Sequence, residues 1–222
     1  MSYSGSLITA ISVEKCLLHQ RIALKALTTI GTSPRLLMLG LMLPTMFLSM
    51  WISNTATTSM MVPIVEAIVI ELDTELSKEN HGMAESVRAG NRQRVREMLF
   101  LSVAYAASCG GTGTLTGTGP NLVLKGMVGS LFGGATPLNF ASWMGFAVPT
   151  MLINLFLCWA WLQVYFIGLP WKKSLVNVGS KSAIKKLLDK KYSELGPMTF
   201  QQMSVMTFFS ILVALWFFRE PR

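Results

Sequence analysis

The sequence predicts an all-α polytopic membrane protein, and three observations lead to that fold class. Hydrophobic residues make up 51% of the 222 residues and charged residues only 14%, whereas soluble domains average about 25% charged. The mean hydropathy of +0.48 is higher than a soluble globule of this length can accommodate. Sixteen of the 19 basic residues fall in three blocks, 15–35, 78–96 and 172–191, between apolar stretches. Such blocks indicate loops that stay on the cytoplasmic side, not a nucleic-acid footprint.

Residues 1–35 predict the end of a scaffold helix followed by an amphipathic interfacial helix over 13–30. They show no signal-peptide pattern, so membrane entry is expected to rest on internal spans. The three cysteines, Cys16, Cys109 and Cys158, lie in or beside apolar stretches. Their odd number and placement predict packed free thiols rather than a disulfide framework.

Residues 36–70 predict a re-entrant helical hairpin. The apolar run 36–48 reaches only about 20 Å of a hydrocarbon core about 30 Å thick. The polar patch 49–58 reads SMWISNTATT, and an apolar run of similar length follows over 59–70. Two half-spans that meet at a polar tip, with basic loops at both outer ends, are typical of a hairpin that enters and leaves on one side.

Residues 98–132 predict a broken transmembrane helix. Apolar half-spans flank the segment 110–121, which reads GGTGTLTGTGPN. The glycines do not match a dinucleotide fingerprint or a phosphate-binding loop, so nucleotide binding is disfavoured. We therefore expect a helix whose polar break lies at membrane depth.

The remaining segments predict loops and plain spans. In order, they are a cytoplasmic loop over 71–97, a transmembrane helix over 133–170, a basic cytoplasmic loop or interfacial helix over 171–198, and a last transmembrane helix, truncated, over 199–222. Within the basic segment, residues 181–195 fit either an interfacial helix held by anionic lipid or a solvated charged helix.

The two polar breaks are the candidate binding site. Backbone carbonyls and hydroxyls are ligands for an alkali cation, and the start of a returning half-helix favours an anion. Ser49 and Ser53 are four residues apart, so their hydroxyls share one helical face. The alternative is that these Ser and Thr hydroxyls only form hydrogen bonds between packed helices. Glu66 and Lys125 lie within apolar elements, and we expect structural roles for both.

These motifs resemble a known family. The stretch LMLGLMLPTMFLSMWISNTATTSMMVPIVEAI and the downstream YAASCGGTGTLTGTGPNLVL are similar to the divalent anion/sodium symporter family. They resemble in particular the animal sodium-coupled di- and tricarboxylate cotransporters, of the solute carrier family 13 type. VEKCLLHQRIALKAL and LVALWFFREP also match, so the resemblance covers nearly the whole chain.

The resemblance implies the roles of individual residues. Ser53, Asn54 and Thr55 match a Ser-Asn-Thr signature at the hairpin tip, which touches both sodium and a substrate carboxylate. Ser49 matches a sodium ligand, and the second break matches at Thr118, Gly119 and Pro120, where a carbonyl completes the first sodium site. The expected substrate site is thus Ser53, Asn54, Thr55 and Gly119. The expected sodium site is Ser49, Ser53, Asn54, Thr118 and Gly119.

The resemblance also implies a function. Members carry out sodium-coupled symport of succinate, citrate and related anions by an elevator mechanism, as homodimers in the lipid bilayer, and we expect a multi-pass protein of the plasma membrane. They are not enzymes and use no cofactor beyond sodium as coupling ion. Because only one Ser-Asn-Thr motif occurs, we expect an N-terminal-half fragment that carries one half of an inverted repeat. A non-transporting subunit that modulates a full-length homologue and a sulfate-type symporter are the alternatives.

Overall fold

A computed structural model describes residues 18–30, 33–79, 85–132, 138–168 and 181–218, and within these residues there is no strand. The predicted all-α class is therefore confirmed for the described part of the chain. The helices are α1 (Leu18–Ile30), α2 (Pro34–Ser49), α3 (Asn54–Glu79), α4 (Glu85–Thr112), α5 (Gly119–Leu131), α6 (Phe140–Leu162), α7 (Lys181–Glu194) and α8 (Phe200–Phe218).

Local capping residues fix where helices begin and end. Ser33 precedes α2 and accepts from the Leu36 backbone N–H, with Pro34 at the first helical position. Asn139 begins α6 with a reciprocal capping box to Ser142. The same helix ends in one π-helical turn, Gln163–Ile167, after which Gly168 adopts a φ of 85° that favours glycine.

Helix α4 is the centre of the fold, because α2, α3 and α6 all pack against it. Apolar residues from these helices form one core in which many side chains are fully buried. The largest of them in α2, α3, α4 and α6 are Leu37, Met38, Leu41, Met42, Met61, Ile68, Met98, Leu99 and Met151.

Helices α3 and α4 run antiparallel and are joined by two ion pairs in the half of the pair away from the polar breaks. Arg96 Nη2 lies 2.6 Å from Glu66 Oε1, and Arg92 Nη1 lies 3.0 Å from Asp73 Oδ2. The Glu66 carboxylate thus has a structural partner, in agreement with the role expected for it.

Helices α1 and α7 pack on the side of this unit. Leu188 of α7 is only 1% exposed within the core, while Lys186, Lys190 and Lys191 are exposed. Arg21 of α1 is itself buried and donates from Nη2 to the carbonyls of Leu195 at 2.9 Å and Gly196 at 2.8 Å. Helix α7 is therefore docked on the protein through its apolar face, a contact that neither sequence interpretation of residues 181–195 included.

Two helical segments in the described part are long and apolar enough to cross a membrane, Asn54–Thr74 and Phe140–Ile167. The second agrees with the predicted span over 133–170. The first was predicted as a half-span over 59–70, but α3 is continuous for 26 residues. The Thr58 hydroxyl donates to the Asn54 carbonyl, so the polar tip residues extend the helix instead of unwinding it. The apolar part of α8, Phe200–Leu215, is shorter than either segment.

Other predictions concern single side chains. Cys109 and Cys158 are free thiols, as expected. Cys16 and the predicted scaffold-helix end over 1–13 lie outside the described residues, as do 80–84, 133–137, 169–180 and 219–222.

Candidate functional site

The two polar breaks meet in the structure. Helices α2 and α4 end there, and α3 and α5 begin there, separated by the turn 50–53 and the loop 113–118. Gly111 lies against the Asn54 side chain, and the Thr114 hydroxyl donates to the Met50 carbonyl at 2.5 Å. Two negative helix ends and two positive helix ends thus converge on one small region.

Ser49 is the best enclosed of the predicted site residues, with no exposed surface. Its Oγ lies 2.7 Å from Asn54 Oδ1 and 2.8 Å from the Ala107 carbonyl oxygen. A hydroxyl has one proton and donates to only one of these oxygens at a time. With the Asn54 amide oxygen turned toward Ser49, the three oxygens share one hydroxyl proton, which is the kind of ligand set that suits a cation.

Glycines on the α4 side allow the two breaks to approach closely. A Cβ at Gly110 would clash with the Met46 carbonyl oxygen. One at Gly117 would lie 2.5 Å from the Gly111 carbonyl oxygen and 3.1 Å from that of Met50. The absent side chains let backbone pack directly on backbone at this contact.

Asn121 holds the second break in shape. Its Nδ2 donates to the Gly111 carbonyl at 3.0 Å and to the Thr114 carbonyl at 2.8 Å. The residue is 9% exposed and lies in the first turn of α5. Its amide therefore satisfies the Gly111 carbonyl at the end of α4 and gives the Thr114 carbonyl a second donor beside the Gly117 N–H.

The other predicted site residues lie at the surface of this contact. Ser53 and Thr55 are exposed, and Ser53 Oγ accepts from the Ala56 N–H, so it caps α3. Thr118 is half-buried and its hydroxyl makes no capping bond to α5. Gly119 is exposed, and a Cβ there would meet nothing within 4 Å. The backbone at the start of α5 is accordingly open to a ligand.

Aromatic side chains cover the hairpin turn. The Trp51 ring lies 5.2 Å from that of Phe209 in α8 and 6.4 Å from that of Phe140 in α6, centroid to centroid. The Trp143 Nε1 of α6 donates to the Thr112 carbonyl at 3.2 Å. It therefore braces the end of α4.

Two further hydroxyls belong to the same region. The Oγ1 atoms of Thr57, in the second turn of α3, and of Thr116, in the loop 113–118, are buried without a hydrogen-bond partner among the described residues. Each leaves an oxygen available to a water or a cation.

Sequence reasoning singled out Ser49 and Asn54, which the structure brings together, but it missed Ala107, Thr114 and Asn121. An asparagine directly after Gly-Pro at the start of an apolar half-span was the available signal for Asn121. Ala107 acts through its carbonyl, so its residue type carries no signal.

Comparison with known proteins identifies related sequences along the whole chain. The family profile described as sodium:sulfate symporter transmembrane region matches residues 3–221. The Na(+)/citrate cotransporter of Rattus norvegicus is 41% identical over 100% of this chain and 44% of its own length. Solute carrier family 13 member 2 of Homo sapiens is 40% identical over 99% of the chain and 44% of its length. The sodium-dependent high-affinity dicarboxylate transporter 3 of Caenorhabditis elegans is 42% identical over 99% of the chain and 37% of its own length. The chain thus spans less than half the length of these relatives.

Proposed function

This chain belongs to the sodium:sulfate symporter transmembrane family, a family of membrane transporters and not enzymes, and from that premise we propose that it forms one half-site for sodium-coupled carboxylate transport. The substrates proposed are di- and tricarboxylates such as succinate and citrate. The names of the relatives favour these anions over sulfate, since they specify citrate or dicarboxylate.

The observation that carries the proposal is the oxygen cluster of Ser49, Asn54 and Ala107 where the two breaks meet. A sodium ion is proposed to bind here, with Ser53, Thr118 and Gly119 contributing from the adjoining turn and loop. Without a cation, one amide rotation satisfies the same oxygens, because Asn54 Nδ2 then donates to Ser49 and Ser49 donates to Ala107. The binding of a cation is therefore coupled to the orientation of Asn54.

The substrate carboxylate is proposed to bind beside the cation at Ser53, Asn54, Thr55 and Gly119. These residues begin α3 and α5, where unpaired N–H groups and the helix dipoles favour an anion. Ser53, Thr55 and Gly119 are exposed, so an anion reaches them without displacing packed side chains. Sodium provides the counter-charge, since the tip carries no basic residue.

The transport cycle proposed is an elevator, with α2 to α6 moving as a unit and α2–α3 acting as a re-entrant hairpin. The close packing of α2, α3 and α6 on α4 supports movement as one body. In the full-length protein, homodimers in the plasma membrane are proposed, with a second hairpin that supplies the other side of the substrate site.

Uptake by this chain tests the half-site proposal. Cells that express only these 222 residues are expected to show no sodium-dependent uptake of labelled succinate or citrate above background. Robust uptake by this chain alone would overturn the half-site proposal. Surface labelling of the expressed chain is the control for its delivery to the membrane.

Substitution within a complete transporter tests the site itself. We would place this chain in the rat Na(+)/citrate cotransporter in place of the segment that it matches, and then change Asn54→Ala. Sodium-dependent citrate uptake is expected to be abolished, whereas the change Asn154→Ala, at an exposed position of α6, is expected to preserve it. Undiminished uptake by the Asn54→Ala protein would contradict the site.

A further inference from the structure

Asn121 joins the two halves of the broken helix without facing the open surface of the site. It lies in the first turn of α5, and both hydrogen bonds of its side chain run back to the carbonyls of Gly111 and Thr114, at the end of α4 and just beyond it. We propose that Asn121 is a positioning residue, which sets the start of α5 relative to the hairpin turn. The proposal rests on the function proposed above, because the position that it sets is that of Thr118 and Gly119.

The chemistry of the position explains why an amide is suited to it. After Thr112 the chain leaves the helix, so the Gly111 carbonyl lacks the N–H group that a continuing helix would supply. The Thr114 carbonyl accepts from the Gly117 N–H at 3.3 Å, and its second lone pair is free to accept another donor. The Asn121 nitrogen carries two protons and no charge, so it satisfies both carbonyls at once. A hydroxyl brings one proton, and a basic side chain brings a charge that would repel a nearby cation.

A short chain of hydrogen bonds connects Asn121 to the cation cluster. The Thr114 carbonyl accepts from Asn121, and the Thr114 hydroxyl donates to the Met50 carbonyl at 2.5 Å. Met50 directly follows Ser49, whose Oγ contacts Asn54 and Ala107. The first turn of α5 is thereby tied to the hairpin turn through Thr114, beside the close backbone contact of Gly117 with the Met50 carbonyl.

Asn139 provides a matched control, because it is an asparagine that also stabilises a helix start. Its Oδ1 accepts from the Ser142 N–H at 2.7 Å and caps α6. The bonds of Asn139 stay within the capping box of that helix. A purely structural effect of losing an asparagine at a helix start should therefore be common to both positions, and an effect on the site should be specific to Asn121.

Hydrogen exchange of the full chain in lipid nanodiscs tests the proposal. Sodium chloride is varied against choline chloride, and exchange is followed over 113–121 and over the hairpin turn 50–54. The change Asn121→Ala is expected to accelerate exchange in both segments, since two buried hydrogen bonds are lost. It is also expected to raise, by about tenfold, the sodium concentration at which half of the protection from exchange is reached. The change Asn139→Ala is expected to accelerate exchange near 138–145 only and to leave the sodium concentration unchanged.

Two results would overturn the positioning role. The first is that residues 113–121 of the Asn121→Ala protein exchange at the wild-type rate. The second is that exchange becomes faster only over 119–124, while the rate over 50–54 does not change. If Asn121→Ala does not fold, Asn121→Ser retains one donor and is expected to give an intermediate acceleration, and a wild-type rate in that variant also contradicts the proposal.

The same measurement separates this inference from the proposed function. If sodium gives the wild-type chain no protection over 113–121, sodium binding by this half-site is contradicted. The rates in choline chloride still decide the role of Asn121, because they report the coupling of 113–121 to 50–54 without any bound ion.

Discussion

The two ends of the α3/α4 pair are held together by different kinds of contact. At the tip, glycine backbone of α4 lies directly on the hairpin, and buried hydroxyls and amides cross-link it. Toward the base, roughly 18 to 28 Å away at ~1.5 Å per helical residue, the polar contacts beside the apolar core are ion pairs between long side chains. The Arg92 and Arg96 side chains there are 50% and 56% exposed.

This difference shows where the geometry is fixed. Backbone and short side chains have little freedom, so a small change at the tip has to move a helix. Long charged side chains adjust to a change at the base and are screened by the surroundings. We therefore expect substitutions at the tip to cost far more stability than those at the base.

The largest effect is expected for Gly110→Ala. The new methyl group would overlap the Met46 carbonyl, so α2 and α4 must separate, at a cost of about 3 kcal/mol. Gly126→Ala on α5 is the control, because a Cβ there meets nothing within 4 Å. Thermal unfolding of the purified chain in detergent measures both, and equal melting temperatures would remove the basis of the comparison.

The next effect is expected for Ser49→Ala. The substitution leaves the buried Ala107 carbonyl and the Asn54 amide without their shared partner, at a cost of about 2 kcal/mol. Ser59→Ala, at an exposed position of α3, is expected to be neutral. Unfolding in detergent with and without sodium checks this, and a Ser49→Ala protein that keeps wild-type stability in both would contradict the cluster.

A smaller effect is expected for Thr114→Val, which keeps the shape of the side chain. It removes the donor to the Met50 carbonyl and should cost about 1 kcal/mol. The control is Thr207→Val, because that hydroxyl is exposed and bonds within its own helix. If the two variants unfold at the same temperature, the link between loop and hairpin turn contributes nothing.

The smallest effect is expected for Arg92→Ala at the base. The pair with Asp73 is partly exposed, so its loss should cost only about 0.3 kcal/mol. Arg94→Ala, an exposed neighbour, makes the same change in net charge. The same unfolding assay measures both variants. A larger loss of stability for Arg92→Ala than for Gly110→Ala would reverse the comparison.

The sequence predicted that two apolar stretches are each interrupted by a polar break, but the predicted breaks are longer than the observed ones. The tip was expected over 49–58, and α3 already begins at Asn54, where Ser53 caps the first turn and the Thr58 hydroxyl bonds back to the Asn54 carbonyl. The second break was expected over 110–121, and the observed loop is 113–118. Gly110 and Gly111 are helical, and their lack of a side chain serves close packing rather than a turn.

The partners of the site residues were beyond reach of the sequence. The Ser49–Ala107 bond joins residues 58 apart, and the Thr114–Met50 bond joins residues 64 apart. Such pairings depend on how far α4 is shifted along its axis relative to the hairpin. Hydrophobic periodicity shows which face of a helix is buried, but it does not show this shift. The family resemblance supplied the site residues on the hairpin, whereas the bonds that hold them had to come from the structure.

The Arg21 contact has a consequence for the order in which the chain folds. Its guanidinium is buried against carbonyls that lie 174 and 175 residues later. At about 5–20 residues per second, those acceptors leave the ribosome roughly 10–35 s after Arg21 does. Helix α1 packs on α2, which is synthesised directly after it, whereas the Arg21 guanidinium meets these two carbonyls only after the chain beyond α7 has been synthesised.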